Sequence, residues 1–199
     1  MGMKEVARRG GRPNRRALIV ATAERLLRER GLGGVTTRAI AEAVPCSEGA
    51  IYVHFEDRLD LIMAVLEESL PEMLVPLHGL KEKVGEATPA ENLTVAVEGL
   101  VRFHQRVMVM LCSLVSEPEL RERFRASLRE GGRGPDRGIA TLAGYIEEEK
   151  ALGRIGSGVE ARNAARALMA GSFFQVFTME LLGGVGRLDV RGIVGLVVG

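Results

Sequence analysis

The residue types near the start of this chain suit one kind of chemistry, contact with a polyanion. Lys4, Arg8, Arg9, Arg12, Arg15 and Arg16 stand against a single carboxylate, Glu5, in the first sixteen residues, a local net charge of +5. The whole chain carries only +1, so the remainder sums to −4. A basic arm broken by Gly10, Gly11 and Pro13, on a mildly acidic body, suits phosphate contact and minor-groove insertion; the plainer alternative is a solubilising tail. Shortly after it, Thr36, Thr37, Arg38, Ser47, Tyr52, His54 and Arg58 offer hydroxyls, an imidazole and guanidinium groups that can hold phosphate oxygens.

Catalytic and metal chemistry find no such grouping. The chain has no GxSxG, HExxH, P-loop or GxGxxG run, and His54, His78 and His104 lack metal-ligand spacing. Cys46 and Cys112 are far apart without a CxxC and read as free thiols. Glu147, Glu148 and Glu149 read as a solvated helix face. The expectation is a protein that is not an enzyme, with no cofactor and no metal.

The polar set between Thr36 and Arg58 needs elements to position it. Thr36 or Thr37 can cap a helix carrying Ile40, Ala41 and Val44; Pro45 and Cys46 break it. Ser47 can cap a second helix carrying Ala50, Ile51, Tyr52 and Phe55. Two short helices across a tight turn form a helix-turn-helix, whose second helix can enter a major groove. Before it, Asn14 can cap a helix with Ile19, Ala23, Leu26 and Leu27 on one stripe, ended by Gly31.

Downstream, Asp57-Arg58-Leu59-Asp60 resembles a capping box opening a fourth helix, which Pro71 should end or kink and Pro76 should break. Residues 75–86 are either an extension of it or a separate short helix. Thr88-Pro89-Ala90-Glu91, Ser116-Glu117-Pro118-Glu119 and Ser157-Gly158-Val159-Glu160 mark later helix starts. Helices are expected over about 89–114, 117–130, 136–151 and 159–182, with a last one from about 190. No stretch alternates as a strand does, and with 4% aromatic residues and no Trp the chain is expected to be all-α.

Length and composition fit a globular protein: 199 residues, 46% hydrophobic and 27% charged. The basic start is not followed by a signal-peptide core. The longest uncharged runs, Val107–Ser116 and Ala167–Met179, are too short for a membrane span. No membrane partner and a cytoplasmic location are expected.

Between Ala164 and Leu182 the only charges are Arg166 and Glu180, so that helix needs cover on most sides. The expected interface of a homodimer therefore uses Ala164, Leu168, Ala170, Gly171, Ser172 and Val176 of that helix, with Ile193, Val194 and Val197 of the last one. Burial of both helices within one subunit is the alternative.

The arm RGGRPNRR, then LLRERG, TTRAIAEAV, SEGAIYVHF and DRLDLIMAVL resemble the DNA-binding domain of the TetR family of transcriptional regulators, continuously over about residues 8–68. The resemblance implies a basic arm at 1–12, a helix-turn-helix domain at 13–56, and a helical ligand-binding and dimerisation domain at 57–199. It implies a homodimer on a near-palindromic double-stranded operator, usually a repressor released by a small molecule. It puts Thr36, Thr37, Tyr52, His54 and Arg58 on phosphates, and Ser47, Glu48, Gly49 and Ala50 at base edges. Pro45, Cys46 and Glu48 depart from the family pattern, and a carboxylate at 48 could accept from cytosine N4. An activator, a ligand-independent regulator, or a helical small-molecule-binding or enzymatic protein without DNA binding are the rivals.

The same resemblance places an effector pocket among the later helices. His104 shares an apolar face with Leu100, Val107, Met108 and Leu111; it either orients a ligand or bonds within the core. With Phe103, Phe124, Phe173 and Phe177 these form the expected lining, suited to a hydrophobic or amphipathic effector.

Overall fold

The Asn14 side chain accepts from the Arg16 N–H at 3.1 Å and opens α1 (Arg15–Arg30), which Gly31 closes at φ 67° by donating to the Leu27 carbonyl. The computed structural model describes residues 14–131, 134–183 and 189–198, and those residues form helices and turns without a strand. The basic residues Arg8, Arg9 and Arg12 of the arm lie outside them. Among the described residues, no helix is long and apolar enough to cross a membrane, and no cluster of His, Cys, Asp or Glu could hold a metal.

Contacts divide the chain into Met1–Val65 and Leu66–Gly199, so the division falls inside the fourth helix rather than before it, where the sequence placed it. In the first unit, Thr36 caps α2 (Thr37–Ala43) by accepting from Ala39 N, and Ser47 caps α3 (Glu48–Tyr52) by accepting from Ala50 N. The intervening Val44–Ser47 turn starts with Val44 in extended backbone. Ile19, Leu26, Ile40, Ile51 and Phe55 bury their side chains in one core, which fixes the angle between the short helices.

The fourth helix, α4 (Arg58–Gly79), runs through both Pro71 and Pro76, against the expected break. Its start behaves as expected: Asp57 Oδ1 accepts from Asp60 N, while the Asp60 carboxylate accepts from Glu56 N. Prolines remove two ladder donors, and an interior proline costs about 3 kcal/mol in an isolated helix. In the second unit, tertiary contacts with α5 (Pro89–Val115) offset that cost. Pro76 frees the Glu72 carbonyl, and Gly99 of α5 comes so close that an added Cβ would stand 2.7 Å from that oxygen and from Pro76 Cγ. Arg102 pairs with the Glu72 carboxylate at 3.4 Å, and Arg106 Nη1 donates to the Glu68 carbonyl at 3.2 Å. A 3₁₀ turn, Leu80–Lys83, follows.

Thr88 and Glu91 form the expected capping box at the start of α5, with Pro89 in the first turn. Two other starts are shifted. Glu117 rather than Ser116 precedes α6 (Pro118–Glu130), because the Ser116 hydroxyl is engaged by the Ser113 carbonyl. Glu160 rather than Ser157 caps α8 (Ala161–Leu182), since its carboxylate reaches the N–H groups of Arg162 and Asn163.

Glu149, near the end of α7 (Pro135–Ala151), is fully buried, unlike its exposed neighbours Glu147 and Glu148. Its Oε1 accepts from Gly85 N at 3.1 Å and its Oε2 lies 3.2 Å from Arg154 Nε. The Arg154 guanidinium also donates to the carbonyls of Glu86 and Ala87, and Asn92 Nδ2 donates to Tyr145 Oη. Burial pushes the Tyr145 phenol up to about 12. This polar cluster ties the 83–87 loop to α7; the solvated face inferred from sequence holds only for Glu147 and Glu148.

Helix α8 packs on α5 and α7, and α9 (Val190–Val198) packs on α5 and α8. That arrangement corrects the expected dimer interface. Leu168, Ser172, Val176 and Val194 are completely buried by their own chain, and Ala164 and Ile193 nearly so. The close approach allowed by Gly171 is to Ile193 of the same chain, 3.1 Å from where its Cβ would be. Ala170, Gly171 and Val197 keep surface exposure. Among the described residues, the exposed face of α8 is a neighbouring stripe, Ala167, Ala170, Phe174, Phe177 and Leu181, at alternating spacings of three and four residues.

Candidate nucleic-acid interface and effector cavity

In the first unit, Thr36, Thr37, Tyr52 and Arg58 line one surface groove of about 330 Å³, together with Gly33 and Val35. Four of the five residues expected on phosphates are thus brought together; His54 is not among them and instead sits edge-on to Phe55, with ring centroids 6.4 Å apart. Tyr52 is 58% exposed and can reach outward. Arg58 also donates to the Leu32 carbonyl, so its guanidinium braces the turn before α2 as well as facing the groove. Arg15 is exposed at the start of α1, and Arg16 lies over the Phe55 ring, 5.2 Å from its centroid.

The expected base-reading positions are at the start of α3. Ser47, Glu48 and Gly49 are exposed and Ala50 is half-buried. Thr37 Oγ1 donates to Glu48 Oε2 at 2.8 Å, joining a residue expected on phosphate to one expected on a base. Arg38 is paired with Glu42 at 3.1 Å on the exposed face of α2. Val53, 79% exposed at the end of α3, is an apolar residue that sequence reasoning passed over; its neighbour Tyr52, also solvent-facing, was the available signal.

The second unit contains a cavity of about 560 Å³. Of the expected lining, Phe103, His104, Leu111, Phe124 and Phe173 are on its wall. Leu100, Val107 and Met108 are not: they are sealed in the core on the other part of the α5 face. Phe177 is also off the wall, stacked behind Phe173 with ring centroids 6.3 Å apart. Sequence reasoning missed Leu66, Leu70 and Met73 of α4, Leu128 of α6, Ile139 of α7 and Met169 of α8. Each lies on an apolar stripe, but their convergence is a matter of tertiary packing that periodicity alone does not reveal.

His104 is buried between Phe103 and Phe173, edge-on to the latter. Its Nδ1 lies 3.2 Å from Ser172 Oγ, and the Ser172 hydroxyl donates to the Met169 carbonyl at 2.8 Å. Burial pulls the imidazole down to about 4, so the ring is neutral at pH 7. Ser172 was expected at a subunit seam; it is instead the partner of the cavity histidine.

A capped helix-turn-helix with an open recognition helix, and a helical unit hollowed by an apolar cavity, define a DNA-binding transcriptional regulator with room for a small molecule. Residues 19–65 match the family model described as bacterial regulatory proteins, tetR family. Over 174 residues the chain is 28% identical to the HTH-type transcriptional repressor AcnR of Corynebacterium diphtheriae, covering 77% of this chain and 87% of that one. It is 32% identical over 77 residues to the HTH-type transcriptional regulator TtgR of Pseudomonas putida, covering 39% of this chain and 33% of that one. A TetR transcription regulator from Haloarcula marismortui shares the fold with a TM-score of 0.72 at 20% identity, over 93% of this chain and 96% of that one. The regulator FadR from Bacillus subtilis, solved in complex with stearoyl-CoA, does so with a TM-score of 0.64 at 20% identity, over 92% and 95%. Residues 19–65 thus carry the DNA-binding domain of the tetR family of bacterial regulatory proteins, and the chain as a whole has the fold of regulators that contain it.

Proposed function

We propose that this regulator is a homodimeric repressor that leaves a near-palindromic operator when a small apolar or amphipathic molecule fills its cavity. The observation carrying this reading is the cavity itself, whose wall includes Leu66, Leu70 and Met73 of α4, the helix that begins with Arg58 in the first unit's groove. A ligand preferring one arrangement of that wall has a covalent route to the DNA-contacting residues, and a coupling of about 1–3 kcal/mol is enough for release. The stearoyl-CoA held by the B. subtilis relative supports an apolar effector of some kind.

Dimer formation is supported by the exposed apolar stripe of α8, where Phe174 is 55% and Leu181 66% exposed, and by the exposure of Leu196 on α9. Each protomer then brings one α3, and the half-sites lie about one helical turn, roughly 34–36 Å, or a little more apart. In the first unit, Thr36, Thr37, Tyr52 and Arg58 take phosphates, and Ser47, Glu48, Gly49 and Ala50 meet base edges. The arm residues Arg8, Arg9, Arg12 and Arg15 add phosphate contacts and a steep salt dependence.

Selection of bound fragments from the native genome tests the reading. A recurrent near-palindrome, bound less tightly as salt rises and released by an apolar compound, is expected. Recovery of fragments without a shared sequence overturns the regulator; a shared site from which no apolar compound releases the protein overturns effector control alone.

A further inference from the structure

Among the described residues, the cavity wall is apolar except at Glu67, His104 and Arg166, and of these only His104 is buried. Its hydrogen bonding follows from proton counting. The Met169 carbonyl can only accept, so the single Ser172 hydroxyl proton goes there. Both bonds of Ser172 then coexist only if Nδ1 of His104 carries a proton and donates to Ser172 Oγ. In a neutral imidazole this leaves Nε2 as a bare acceptor. Nε2 has no hydrogen-bond partner among the described residues and is not one of the sealed polar atoms, so it opens on the cavity that the ring lines.

The geometry points to an effector that is largely apolar and carries one hydroxyl or N–H group, which donates a hydrogen bond to His104 Nε2. Ser172 is the positioning residue that sets which ring nitrogen faces the ligand. A carboxylate, ketone or ether at the same place would oppose one lone pair to another, so the site selects alcohols, phenols or amides over acids and ethers of the same shape. This inference rests on the effector-cavity reading above and adds the polarity of the ligand to it.

Two fluorescent probes of matched shape test it, 2-naphthol and 2-methoxynaphthalene, the first a donor and the second not. The chain has no Trp, so their emission can be followed directly. The intact protein is expected to bind 2-naphthol about tenfold more tightly than the ether. His104→Leu should level the two by weakening 2-naphthol alone, and Ser172→Ala should narrow the gap. Equal affinities in the intact protein, a comparison that needs no variant, overturn the donor requirement alone. A preference surviving in His104→Leu overturns the role of His104. Failure of the intact protein to bind either probe overturns both this inference and the reading of the cavity as a binding site.

Discussion

Thr37 Oγ1 and Glu48 Oε2, eleven residues apart in sequence, are joined by a 2.8 Å hydrogen bond that links the start of α2 to the start of α3. The bond holds the Glu48 carboxylate in one place at the exposed start of α3. One of its oxygens accepts from Thr37, and the remaining acceptor capacity is available to a base-edge donor.

Glu48→Ala should therefore relax base preference at one position of each half-site, by about 1–3 kcal/mol, and Thr37→Val should blur the same position by letting the carboxylate wander. Binding to operators substituted at each position checks this. Uniform weakening on every sequence would remove Glu48 from base reading.

His104 makes stability depend on pH with a definite sign. The unfolded histidine takes a proton near 6.5 and the folded one only near 4, so between these values the unfolded state binds more protons. The stabilisation is complete above about pH 6.5 and is lost as pH falls toward about 4, a change of about 3 kcal/mol. Urea unfolding at a series of pH values should show His104→Phe with a shallower acid slope than the parent protein. Identical slopes would contradict it.

Breaking the Glu149–Arg154 pair should be costly. Arg154→Met leaves a fully buried carboxylate facing Gly85 without its cation, and a loss of about 3–5 kcal/mol is expected, read as a lower urea midpoint. Tyr145→Phe, which removes one hydroxyl from the same cluster, should lose only about 1 kcal/mol. Similar losses for the two variants would contradict the charge argument.

Phe174→Asp places a charge on the exposed stripe of α8 without disturbing the core. Light scattering should show a monomer with unchanged helical content, and operator affinity should fall by orders of magnitude because two half-sites are no longer bound together. A variant that stays dimeric places the interface elsewhere.

Much of this architecture was legible in local chemistry. Asn14, Thr36, Ser47 and Thr88 cap the helices that the sequence assigned to them, because each such bond spans three residues or fewer. Ile40, Ile51 and Phe55 are buried as their periodicity indicates. What failed was non-local. Pro71 and Pro76 do not break α4, because contacts from α5 compensate at Gly99, Arg102 and Arg106. An apolar helix such as α8 does not reveal which of its faces its own chain covers, so Leu168 and Val176 were assigned outward while Phe174 and Leu181 are the exposed residues. Glu149 looks like its two acidic neighbours until Arg154 and Gly85 are folded against it.

The approach of Gly99 to Glu72 and Pro76 also bears on how this chain can change over generations. A methyl group at 99 meets a backbone oxygen, which cannot move aside as a side chain could. Restoring an N–H at 76 would retie the Glu72 carbonyl to its own helix and remove the proline ring from that contact. An ordinary residue at 76 would relieve only the ring contact and leave the oxygen in place, so glycine at 99 should persist in any lineage that keeps this spacing of α4 and α5, whatever residue stands at 76.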